Sequence, residues 1–201
     1  AEKIGSADGT LTLSQWMSLP SQALAESLNG ELFYDGYGEV TKIREALAHY
    51  PADIRLKKLA GHLLLMAQSG QYNYLRCLDH GEEDAAQLAA VSFTQAALHT
   101  VFLLNRRYMP YYKWQFRALR ETERLSELAP ALSWLISSGN GAEELQKKYL
   151  TIENIASAVI GELQMQGISA ATCGDLSKHA ASVNDHIADP ALRNEDIFFG
   201  V

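Results

Sequence analysis

Apolar residues recur with a helical period along most of this 201-residue chain. The clearest stretch is 82–108, where Ala86, Ala90, Phe93, Ala97, Val101 and Leu104 fall on one stripe behind the acids of 82–84, which suit a helix N-terminus. The small residues on that stripe should let a neighbouring helix approach closely. Leu145, Tyr149, Ile152, Ala156, Val159 and Leu163 repeat the pattern over 143–166. A third broad apolar face, from Ile54 to Met66, follows Pro51, which fits a first helical turn, and a short helix over 40–49 should stop before that proline. Ser69-Gly70 predicts a kink or break, with a further helical piece over 71–79. Shorter helices are predicted over 112–120 after Pro110, over 124–136 up to Gly139-Asn140-Gly141, and over 176–188 between an Asp175 N-cap and Pro190.

The first forty residues read differently. Gly5, Gly9, Gly30, Gly36 and Gly38 punctuate them, one short helix fits 21–28, and 29–39 reads as a loop or small hairpin whose only strand-like residues are 31–34. Residues 1–39 are therefore expected to be a linker or N-terminal arm, and 40–201 an α-helical bundle domain. The fold class is all-α, an up-and-down bundle of four main helices with short helices around it.

Composition narrows the class without naming a chemistry. Hydrophobic content of 47% and charged content of 20% suit one globular core. No run approaches the ~20 apolar residues of a membrane span, so no membrane partner is expected. The N-terminus lacks a signal peptide's basic and apolar regions. The absence of an initial Met reads as trimming, or as a piece of a longer protein. Cys77 and Cys173 lack disulfide-scaffold or metal spacing and are expected as buried free thiols in a reducing cytoplasm. A pI near 5.3 argues against a general nucleic-acid coat protein.

Charge singles out one segment. Residues 106–120, RRYMPYYKWQFRALR, hold five basic and five aromatic side chains and no acid, so this window carries +5 in a chain whose formal net charge is −7. One reading keeps Tyr108, Trp114 and Phe116 in the core while the basic side chains spread over the surface. The other makes the window a rim that faces a planar or anionic ligand, such as a nucleotide or phosphorylated compound. Gln68, Gln71, Tyr72, Asn73, Tyr74 and Arg76 crowd polar planar groups at the Ser-Gly break and read as a wall facing that rim, or as a solvated kink. Arg55 and His62 form R-x6-H, a spacing reminiscent of HEPN-fold ribonucleases but frequent by chance. Asp175, His179 and His186 share a helical face, yet two turns separate the histidines, so a cap and two ordinary histidines are expected. No G-x-x-x-x-G-K-[ST], G-x-G-x-x-G or G-x-S-x-G occurs, and no D-x-[DE] follows Gly5-Ser6. No catalytic residue and no metal ligand is therefore assigned.

Three stretches, PADIRLKKLAGHLLLMAQSGQYNYLRCL (51–78), FLLNRRYMPYYKWQFRAL (102–119) and LSKHAASVNDHIADPALRN (176–194), resemble the bacterial domain-of-unknown-function family numbered 4037, and the likeness extends over nearly the whole chain. Members of that family are similar to two-domain nucleotidyltransferases of the kanamycin-nucleotidyltransferase type, and this chain resembles only their C-terminal helical domain. The resemblance implies a substrate-binding or lid domain that closes over a nucleotide or small-molecule acceptor. Its partner would be an N-terminal nucleotidyltransferase domain, which would bring Mg and a nucleoside triphosphate; no cofactor is expected in this chain itself. Gln71, Tyr74, Arg76, Asn105, Arg107, Tyr108, Lys113 and Trp114 are then the ligand-binding candidates. Two alternatives remain beside this: a HEPN-like ribonuclease using Arg55 and His62, and an interaction module that forms a homodimer through the Ala-rich helix 82–108.

Overall fold

A computed structural model describes residues 10–201; Gly5, Gly9, the Gly5-Ser6 pair and the rest of 1–9 lie outside the described residues. The chain is all-helical, and among the described residues no strand forms; 31–34 has no regular structure. In chain order the helices are α1 (Leu13–Ser18), α2 (Ser21–Leu28), α3 (Glu39–Ala46), α4 (Ala52–Met66), α5 (Leu75–Asp79), α6 (Glu83–Leu104), α7 (Gln115–Leu119), α8 (Ala129–Ser137), α9 (Ala142–Met165), α10 (Leu176–Asp185) and α11 (Pro190–Asn194).

The centre of the bundle is α4, enclosed between α6 on one side and α10 on another. Every residue from Ile54 to Leu63 is buried, including Arg55, Lys57, Lys58 and His62. A helix buried all round must find acceptors for such cations, because an unpaired buried charge costs several kcal/mol. Lys57 Nζ donates to Asn184 Oδ1 at 2.9 Å and to Glu195 O at 2.7 Å. Lys58 Nζ donates to Met17 O and Gly200 O, both at 2.8 Å, so it ties the end of α1 to the C-terminal tail. Burial still pulls the Lys58 amine down to about 8 from 10.5.

At Ser69-Gly70, where a kink or break is expected, the helix widens and does not break. The helix runs on through Ala67–Tyr74 as a π-helical segment and continues directly into α5. Ser69 Oγ donates to Leu65 O at 2.5 Å, satisfying a carbonyl at the start of the widened turns. Gly70 is required by packing: a Cβ there would lie 2.3 Å from Phe93 Cδ2 and 2.8 Å from Ile152 Cγ2. The widened segment thus touches α6 and α9 at once, and the small-residue stripe of α6 is used inside the chain, with Ala86, Ala90, Phe93 and Ala97 fully buried. Among the described residues α6 is the one helix long and apolar enough to cross a membrane, but 67% of its most apolar window is buried against the other helices.

Other boundaries shift for identifiable reasons. Within 1–39, the segment expected to be an arm, α1 and α2 place Trp16, Met17 and Leu24 in the core. Pro51 is the N-cap of α4, one residue before the first turn. The helix expected over 124–136 starts only at Ala129, because Leu125 sits in the left-handed region at φ 60° and a 3-10 turn, Ser126–Leu128, intervenes. Residues Tyr112–Trp114 likewise form a 3-10 turn before α7. Cys77 is half-buried and Cys173 is exposed, so neither is the buried thiol expected, although both are free.

Gly70→Ala should lower stability despite the helix-propensity gain of ~1 kcal/mol, because overpacking against the fully buried Phe93 costs roughly 1–3 kcal/mol. Thermal denaturation followed by circular dichroism reads it: the melting temperature should fall by a few degrees, and an unchanged or raised value would mean that the π segment has room to spare.

Candidate functional site

The basic-aromatic window begins where α6 ends, and the way α6 ends sets its geometry. Arg106 N–H donates to Leu103 O at 3.1 Å and Arg107 N–H to Phe102 O at 2.9 Å, a Schellman closure in which Arg106 occupies the left-handed position at φ 53°. The same closure after α5 uses Gly81 and after α9 uses Gly167, where no Cβ opposes it. An arginine there costs about 1–2 kcal/mol. Helix α6 therefore stops at Leu104, well before Pro110, and the chain turns at Asn105–Arg107.

Beyond the turn the segment is pinned to the N-terminal helices. Tyr108 is buried; its hydroxyl donates to Leu47 O at 2.8 Å and its ring meets Tyr50 edge-on at 4.6 Å. Burial, then the neighbouring Tyr50, holds the Tyr108 phenol well above its ordinary value, and burial pushes Tyr50 to about 12. Met109 N–H donates to Ser21 Oγ at 2.6 Å, which fixes the segment against α2.

Between α2 and residues 106–121 opens a cleft of about 740 Å³. Arg106, Arg107 and Arg117 line it with Tyr111 and Trp114 on one wall; Gln22, Ala25, Glu26 and His49 belong to the other. Trp114 is 55% exposed, and the Arg117 guanidinium lies 6.0 Å from its ring centre. Arg117 also lies 3.9 Å from Glu121, a loose exposed pair that contributes little. Arg107 Nη1 donates to Glu121 O at 3.1 Å. His49 Nδ1 meets Arg106 O at 3.1 Å, and since a carbonyl only accepts, this nitrogen carries the proton.

The residues expected as the facing wall are elsewhere. Gln68, Gln71 and Tyr72 line a separate cleft of about 620 Å³ with Glu153, Gly174 and Asp175, and no residue is common to the two. The Gln71 amide is engaged on both ends: it donates to Glu153 Oε2 and Gly174 O and accepts from Leu176 N–H. Tyr74 is fully buried, donates to Leu145 O at 3.1 Å and is pushed to about 12 by burial. Arg76 bonds the Tyr72 hydroxyl and stacks over its ring at 5.0 Å. Asn105 ties the two ends of the loop, donating to Arg124 O and accepting from Arg124 N–H, each at 3.0 Å. Lys113 is exposed and does not line the cleft. Of the eight candidates, the structure brings Arg107, Tyr108 and Trp114 together; the cleft adds Arg106, Tyr111 and Arg117 from the same window, and His49, which no sequence signal marked.

The remaining motifs resolve into packing. His62 stacks on His99 at 4.1 Å, is 7% exposed and lines neither cleft, while Arg55, seven residues away, opens elsewhere. Asp175 caps α10 through Ser177 N–H at 2.8 Å. His179 is fully buried, with Nε2 facing Cys173 O and Nδ1 facing Ser169 Oγ, both at 2.8 Å. Among the described residues no group of three His, Cys, Asp or Glu side chains is placed to hold a metal ion.

The model of the family described as "Domain of unknown function (DUF4037)" matches residues 16–115, just under half of the chain, which supports membership of that family. The match begins inside α1, takes in α2, α4 and α6, and ends within the basic-aromatic window; the stretch 176–194 lies outside it. No curated protein and no solved structure matches the chain.

The stacked histidines predict the acid limit of stability. Burial, then the Lys58 charge, lowers His99 to about 4, and burial, then His99 and Lys58, holds His62 well below 6.5. Depressed folded-state values mean that the unfolded chain binds more protons, so this contribution is complete above pH 6.5 and is lost as pH falls through about 4. Urea denaturation between pH 7 and 4 should show stability falling below pH 6.5, with a shallower fall in His99→Gln; equal slopes would remove the pair as the cause.

Proposed function

We propose that this chain is a helical ligand-binding or lid domain of a nucleotidyltransferase-like protein, holding a nucleotide or a small phosphorylated acceptor in the cleft between α2 and residues 106–121. The observation that carries the reading is the convergence of Arg106, Arg107 and Arg117 with the exposed rings of Tyr111 and Trp114 on one wall of a cleft of ligand size. An indole offers a face for a planar base or ring. Guanidiniums offer planar forks to phosphate oxygens, and a compound with both groups satisfies the whole wall. The facing wall, Gln22 and Glu26 of α2 with His49, supplies polar groups suited to a sugar or an amino function.

In this reading the chain binds and positions, and the reacting metal and its carboxylates belong to a nucleotidyltransferase domain on another segment or chain, with Mg and a nucleoside triphosphate arriving there. The helical domain's share of catalysis is orientation, since holding two reactants in register removes much of the entropic barrier. The family likeness over 16–115 covers α2 and most of the arginine-aromatic wall.

Isothermal titration of the purified chain with ATP, other nucleoside triphosphates and aminoglycosides tests the reading. Trp114→Ala and Arg107→Ala should each weaken the bound ligand by roughly tenfold, the worth of one stacked base or one charge-assisted hydrogen bond. Lys113→Ala, outside the cleft, should leave affinity unchanged. Equal affinities for all four proteins would make the wall structural.

A further inference from the structure

Arg55 is the one cation of α4 without adequate acceptors. It is 8% exposed, yet its only hydrogen bond among the described residues runs from Nη1 to Leu103 O at a long 3.4 Å. A guanidinium has five donors, so among the described residues four find no protein acceptor, and no carboxylate there pairs with it. The neighbouring charge is of the same sign: Arg106 stands close enough to disfavour the Arg55 cation, adding to the larger effect of burial. Two lysines of the same helix, in the same depth of packing, are closed off by short bonds to carbonyls. The deficit is specific to this position.

Arg55 opens into a third pocket, of about 380 Å³, lined also by Asn105, Arg106, Glu123, Arg124 and Gln166. Its charges do not balance. Arg124 Nη1 is paired with the buried Glu162 at 2.8 Å, which Gln166 also reaches at 2.7 Å. That leaves Arg55 and Arg106 against the single carboxylate of Glu123. The C-terminal ends of α6 and α9 meet here and give the arginines some partial negative charge, but among the described residues only Leu103 O comes within reach of Arg55. Arg106 lines both this pocket and the larger cleft, so the two share a wall. Its backbone bears the left-handed strain at the junction, and strain of this kind clusters at active sites and ligand clamps.

We infer that the pocket of Arg55, Arg106 and Arg124 is a phosphate subsite, taking the phosphoryl group of a ligand whose planar part lies on Trp114 in the adjoining cleft. The subsite stands on the unpaired Arg55, whereas the extension to one continuous ligand rests on the cleft reading above. A tetrahedral dianion offers acceptors to two guanidinium forks at once, as a carbonyl end cannot. It also converts the Arg55–Arg106 repulsion into two attractions.

The test uses the full chain and three probes: inorganic phosphate, adenosine monophosphate and adenosine, each against sodium chloride of equal ionic strength. Phosphate and the monophosphate should raise the melting temperature of the wild type, and titration calorimetry should show both weakened by roughly tenfold or more in Arg55→Met. Arg106→Gly removes the second guanidinium while leaving the left-handed turn easier to form, so it reports on binding even if Arg55→Met fails to fold. Trp114→Ala should bind inorganic phosphate as the wild type does and lose affinity only for the monophosphate.

The subsite is overturned if neither anion stabilises the wild type at millimolar concentration, or if the folded arginine variants respond like the wild type. If adenosine binds as tightly as its monophosphate and neither arginine variant matters, the cleft reading survives and the subsite falls. If phosphate binding depends on Arg55 while Trp114→Ala changes nothing for the monophosphate, the subsite stands and the cleft reading falls.

Discussion

The constraint on which the rest of this structure depends is the enclosure of α4. A helix packed on every side gains the apolar burial of Ile54, Leu56, Leu59 and Leu63, but its sequence also places three cations and a histidine inside. Each lysine is worth keeping there only if its hydrogen-bond partners offset desolvation, and those partners come from distant parts of the chain: Met17, Asn184, Glu195 and Gly200. The buried lysines therefore recruit the first helix and the last residues onto one helix. Closing the bundle in this way sets the position of α2, which becomes a wall of the candidate site.

Beside the unpartnered His62 Nδ1, Thr100 Oγ1 and Ser138 Oγ and the left-handed Leu125, two arginines stand out in the same accounting, Arg55 and Arg106. One is a buried cation with a single long bond; the other is an arginine in a backbone conformation that two sibling turns give to glycine. Either alone has a structural explanation: a cation near the end of α6 is favoured by the helix dipole, and a Schellman closure tolerates a non-glycine residue at a modest cost. Together they are harder to account for by stability, because the backbone strain at 106 brings one positive charge towards another.

Much of the fold was legible because it depends on local period. The stripes over 82–108 and 143–166 became α6 and α9, and Asp175 is the cap expected of it. What failed was non-local. Ser69-Gly70 reads as a kink or break by propensity, but Phe93 and Ile152, neither adjacent in sequence, demand a glycine at the point of closest approach, and the helix runs on through it in widened form. Six residues of α1 are too few to show a period, so the core roles of Trp16 and Met17 could not be seen. For the site, composition found the arginine-aromatic wall and could not find its opposite. The polar cluster at 68–76 was the more conspicuous candidate, while α2 offers Gln22, Ala25, Glu26 and Leu28, residues with no local signature.

The charge pattern that first marked residues 106–120 also changes meaning in the folded chain. A +5 window on a chain of net charge −7 is no long-range attractor for anions, since the acidic remainder surrounds it and fields are screened within about 8 Å at physiological ionic strength. Electrostatic steering would need the sign of the whole surface to agree. An anion that binds here does so through contact with particular guanidiniums, two of which, Arg107 and Arg117, are already oriented by Glu121 and Trp114. Recognition by a few oriented forks beside an aromatic face favours a small ligand with one phosphoryl end over an extended polyanion. An extended polyanion would need a continuous basic track, which a pI near 5.3 disfavours.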